Sequence, residues 1–78
     1  MNSTYSLYLR DLIGQLRDEA FSAAEESRKA PVSDSFDAGR AMAYVEVLDR
    51  IKNQAIAFQI PLAELDLEDF EPHSLLKP

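Results

Sequence analysis

Three observations place this chain in the all-α class. Two stretches of about 25 residues carry apolar side chains at every third or fourth position, a short break around Pro31 divides them, and only 2 Gly and 4 Pro occur in 78 residues. The arrangement they predict is a long antiparallel helical hairpin, helix 1 over about 3–30 and helix 2 over about 34–60. A short acidic segment, 61–78, follows. At 8.8 kDa there is no room for a second core, so hairpin (1–60) and tail (61–78) are read as one domain. A hairpin this small is expected to pair with a second copy into a four-helix bundle.

The first helix is read from Tyr5, Leu9, Leu12, Ile13, Leu16, Ala20, Ala23 and Ala24, which share one face. Asn2, Ser3 or Thr4 offers an N-cap oxygen, and Arg28 and Lys29 suit the negative end of the helix dipole. Glu25 stands four before Lys29, the favourable order for an ion pair on a helix surface. Pro31 disfavours α geometry at Ala30 and stops the helix there. After the connector, Ser33 or Asp34 can cap a second helix whose apolar stripe is Tyr44, Val47, Leu48, Ile51, Ala55 and Phe58, ending at Ile60 before Pro61.

So short a connector makes the helices antiparallel neighbours, in a register that pairs positions whose numbers sum to roughly 64. Tyr44 then meets Ala20 and Ala23, Leu48 meets Leu16, and Ile51 meets Ile13 and Leu12. Leu16, Leu48 and Ile51 are expected to be the most buried side chains. Arg40 falls at the turn end, closest to Glu25 and Glu26, and a bridge closing the hairpin is expected. Leu62–Leu65 can form one helical turn after Pro61. Leu67, Phe70, Leu75 and Leu76 are too irregularly spaced for a long helix, but apolar enough to dock the tail.

A second apolar stripe lies on each helix: Leu7, Gly14 and Phe21 on the first, and Met42, Val45, Ile56 and Ile60 on the second. The rotational sense from the main stripe is the same on both antiparallel helices, so the two stripes merge on one side of the hairpin. Gly14 would admit a close backbone, whereas Asp49 and Lys52 interrupt the face. Leu7, Gly14, Phe21, Met42, Val45, Ile56 and Ile60 are therefore the candidate interface, covered by a second copy or a partner protein, or alternatively by the tail itself.

The chemistry a site needs is sparse. Without cysteine there is no disulfide scaffold, thiolate zinc site or cysteine nucleophile. His73, the one histidine, sits between Pro72 and Ser74 and reads as a solvated tail residue. Asp66, Glu68, Asp69 and Glu71 lack the glycine and ligand spacing of a calcium loop. Asp37, Arg40 and Tyr44 bring no nucleophile together with a base. Neither a cofactor nor a metal is expected, and the chain is not expected to be an enzyme.

Fourteen acidic against eight basic residues give a net charge of −6, and residues 61–78 alone carry five acids against Lys77. Nonspecific attraction to nucleic acid or anionic lipid is therefore not expected. The first residues carry no basic or strongly apolar targeting pattern, and no apolar run approaches the roughly 20 residues of a membrane span. A cytoplasmic location is expected.

Ser35–Arg50, with its Gly-Arg-Ala-Met-Ala-Tyr-Val-Glu-Val-Leu run, and the following Ala55-Ile-Ala-Phe58 resemble a helix found in short bacterial helical-hairpin proteins. Those proteins carry a Gly-Arg-x-x-Ala-Tyr-x-Glu-Val-Leu pattern. The likeness spans about a third of the chain, implies a helical hairpin and brings no catalytic or ligand-binding residues. The functional expectation is a small non-enzymatic interaction or regulatory protein that works through an apolar hairpin face. The alternative is an acidic mimic of nucleic acid that inhibits a DNA-binding protein.

Overall fold

Two long helices, α1 (Ser3–Lys29) and α2 (Ser35–Ala57), run antiparallel, and the chain then folds back over one side of them. The structure, a computed structural model, describes residues 3–29 and 35–77. The connector 30–34, with the expected caps at Ser33 and Asp34 and the stop at Pro31, lies outside the described residues, as does the cap at Asn2. No strand occurs among the described residues.

The register follows the sequence expectation. Arg40 Nη1 meets Glu26 Oε2 at 3.0 Å, and the Tyr44 hydroxyl donates to Glu19 Oε2 at 2.8 Å. Glu25 and Lys29 form their i, i+4 pair at 2.9 Å.

Helix α2 ends at Ala57 rather than at the expected Ile60. Its end is set by the backbone and not by Pro61. Gln59 turns left-handed at φ 59° and donates to the Ile56 carbonyl at 3.0 Å, while Ile60 donates to Ala55 at 2.8 Å. These are the paired bonds of a Schellman ending, which satisfies carbonyls the helix would otherwise orphan. The same device recurs after a 3₁₀ turn, Leu62–Leu65. There Asp66, at φ 58°, donates to Ala63 at 3.2 Å and Leu67 to Leu62 at 3.0 Å. Each reversal turns the next apolar residue, Ile60 and then Leu67, back toward the helices.

A second 3₁₀ turn, Pro72–Leu76, starts with Pro72 in the position where a missing N–H costs nothing, and the Glu71 carboxylate accepts from the His73 N–H at 3.2 Å. The sequence pattern excluded a long helix here but did not reveal this turn.

One core joins both helices and the tail: Ile13, Ala20, Ala24, Val45, Leu48, Ala55, Leu65, Leu67, Phe70 and Leu75. Leu48 and Leu67 are wholly enclosed. Of the three side chains expected to be deepest, Leu48 alone is; Leu16 and Ile51 are half-buried. The reason is geometric. The tail forms a second layer on one side of the hairpin, and none of the described residues forms such a layer on the other.

Candidate functional site

The side on which the tail lies is fixed by charge as well as by apolar fit. Arg10, Arg17 and Arg28 share one line of α1, offset from its contact with α2 toward the tail. Arg17 Nη1 donates to the Asp66 carbonyl at 2.6 Å and stands 3.4 Å from its carboxylate, with the guanidinium 4.7 Å from the centre of the Phe70 ring. Arg28 reaches the Leu75 carbonyl at 3.4 Å, and from α2 Lys52 Nζ donates to the Phe70 carbonyl at 2.6 Å. The expected interruption of the α2 stripe by Asp49 and Lys52 is thus the tail's own attachment. Asp49 Oδ2 also stands 3.7 Å from His73 Nε2, so the histidine leans on the hairpin rather than projecting freely.

This arrangement divides the seven candidate interface residues. Val45 is 1% exposed and belongs to the core of the single chain, beneath Leu67 and Leu75. Ile60 lies beyond the end of α2 and is half-buried against that core. Phe21 packs on Phe70 with ring centres 6.0 Å apart, and Met42 borders a small cavity closed by Leu75 and Leu76. Leu7 and Ile56 remain exposed toward the ends, and a Cβ placed on Gly14 would meet nothing within 4 Å. The tail therefore occupies the middle of the face that the second stripes form.

The uncovered apolar surface is on the opposite side. Tyr5, Tyr8 and Leu12 of α1, Val47 of α2 and Phe58 just beyond the end of α2 are all exposed, and helical geometry turns the four helical ones away from the tail. Half-buried Leu9, Leu16, Tyr44 and Ile51 form the floor between them. An open cleft of about 330 Å³ lies at the end away from the connector, lined by Leu9, Ile13, Ile51, Ala55, Phe58, Ile60 and Leu65, with Arg50 and Gln54 at its edge. Most of these residues belong to the main stripes, which the sequence pattern alone places wholly in the seam. Tyr8 had no such assignment. Its signal is its place beside Tyr5 and Leu12 on the outer border of the α1 stripe.

Polar groups on this side are paired across the seam, Glu26 with Arg40 and Glu19 with Tyr44. The Glu19 carboxylate, by accepting the phenol proton and opposing a second negative charge, raises Tyr44 above its ordinary 10.0. Arg40 also lies 5.5 Å from the Tyr44 ring centre. Arg40 and Tyr44 are thus held across the seam by Glu26 and Glu19. No group of three or more His, Cys, Asp or Glu residues is placed to hold a metal ion among the described residues, the acidic tail included.

Fold and surface define a class of small all-α protein: a two-helix hairpin with a docked tail and one bare apolar face. No known family matches the chain, and neither curated proteins nor solved structures give a match. No helix among the described residues is long and apolar enough to cross a membrane.

Proposed function

We propose that this chain is a small non-enzymatic interaction protein whose working surface is the apolar hairpin face opposite the tail, and that it operates as a homodimer with the form of a four-helix bundle. The carrying observation is the clustering of Tyr5, Tyr8, Leu12, Val47 and Phe58, all exposed, on that one side. Scattered exposed apolar residues are ordinary, but a contiguous face of them marks an association surface.

The total exposed area supports the same reading. The chain exposes 5549 Å², whereas a folded monomer of its mass is expected to expose about 4,800 Å². The excess is close to the roughly 800 Å² that each partner contributes to a standard interface.

Light scattering on the full chain tests this. The expected result is a dimer that Val47→Glu converts to a folded monomer, helical by circular dichroism, while Ile56→Glu on the tail side leaves it dimeric. A full-length monomer at micromolar concentration would overturn the proposal.

A further inference from the structure

We infer that the two copies are related by a two-fold axis parallel to the helices, so that α1 of each lies along α2 of the other. This rests on the reading that the bare face is the working surface, and it specifies how that face is filled. Two closed arrangements lay one such face on another. One has its two-fold axis along the helices, and the other has it across them, within the interface plane.

Shape separates the two. The cleft lies at the end of the hairpin away from the connector, where Ile51 of α2 and Phe58 just after it border it. At the same height on α1 stand Tyr5 and Tyr8, 65% and 64% exposed, with Leu12 one turn further on. An axis along the helices preserves height and exchanges α1 for α2 across the interface. Tyr5, Tyr8 and Leu12 of each copy then lie over the cleft of the other, so one face supplies both the projections and the hollow that receives them. An axis across the helices reverses height. It carries the tyrosines to the connector end, away from the cleft.

The chain has no cysteine, so single thiols report the contacts cleanly. Chains carrying Gln15→Cys and, separately, Val47→Cys are co-refolded under different tags and treated with a short bifunctional thiol cross-linker. The two positions lie at nearly equal height, Val47 on the bare face and Gln15 at its outer border. The expected result is a dominant mixed product joining a Gln15→Cys chain to a Val47→Cys chain. Leu12→Cys with Gln54→Cys, both exposed positions, repeats the test should the first pair disturb folding.

Products joining like chains, within a protein that scatters as a dimer, would overturn this arrangement and leave the proposed function standing. A dimer cross-linked at neither pair, or a monomer throughout, would overturn both.

Discussion

Tyr44 donates its phenolic proton to Glu19 across the seam, and that bond has a consequence at high pH. A group whose folded pKa is raised contributes stability that is fully present below its unfolded value and is lost as pH rises through the folded one. Tyr44 is such a group, so its contribution holds below about pH 10 and fades on the alkaline side. Glu19→Gln removes the opposing charge and should bring the Tyr44 ionisation down toward its ordinary position. Ultraviolet titration, with Tyr44→Phe to assign the signal, checks this; an unmoved midpoint would show that the carboxylate is not the cause. At acid pH the sign reverses for Glu25. Its hydrogen bond to Lys29, and then that residue's charge, hold it below 4.5, so this contribution is present above the ordinary carboxylate range and is lost as pH falls.

At the scale of the element, α1 carries a glycine in mid-helix with open space where a side chain would stand. Gly14→Ala should stabilise the chain by about 0.5–1 kcal/mol, because alanine loses less backbone freedom on entering a helix. Thermal unfolding at fixed protein concentration measures it. If the substitution instead weakens the proposed dimer, another backbone approaches Gly14, and the Leu7–Gly14–Phe21 line is an interface after all. The helices themselves were legible in the sequence: three- and four-residue spacing revealed both, and the register that put Arg40 beside Glu26 needed only the length of the break. The end of α2 was not legible, because Gln59 adopts a left-handed conformation that composition assigns to glycine or asparagine. A proline two positions later looked like the sufficient cause.

At the scale of the molecule, the side taken by the tail decides which face remains to be covered. The apolar pattern was ambiguous here, since each helix carries apolar residues wide of the seam on both flanks. The cations resolve it: Arg17 and Arg28 on α1 and Lys52 on α2 all point to the side where the tail's carbonyls are. Sequence periodicity places such residues on a helix but does not say which partner a lysine or arginine finds. Because Leu67 is wholly enclosed between tail and hairpin, Leu67→Ala should cost about 2–5 kcal/mol. That is a large share of the roughly 5–15 kcal/mol typical of a small domain. Leu7→Ala, at an exposed position, should change stability by no more than about 0.5 kcal/mol. Equal effects in urea denaturation would show that the tail is not part of the folded core.

The grips that seat the tail fall on the carbonyls of Asp66, Phe70 and Leu75. A carbonyl is common to every residue, so these three bonds recognise the path of the chain, and only the Asp66 carboxylate and the Phe70 ring beside Arg17 tie that grip to particular side chains. Glu64, Glu68 and Asp69, all exposed, take no part in them. Those three positions can exchange acid for neutral or basic side chains while the segment keeps its seat. The outer surface of the tail is thus free to drift, and to acquire a recognition pattern of its own, without unpicking the fold beneath.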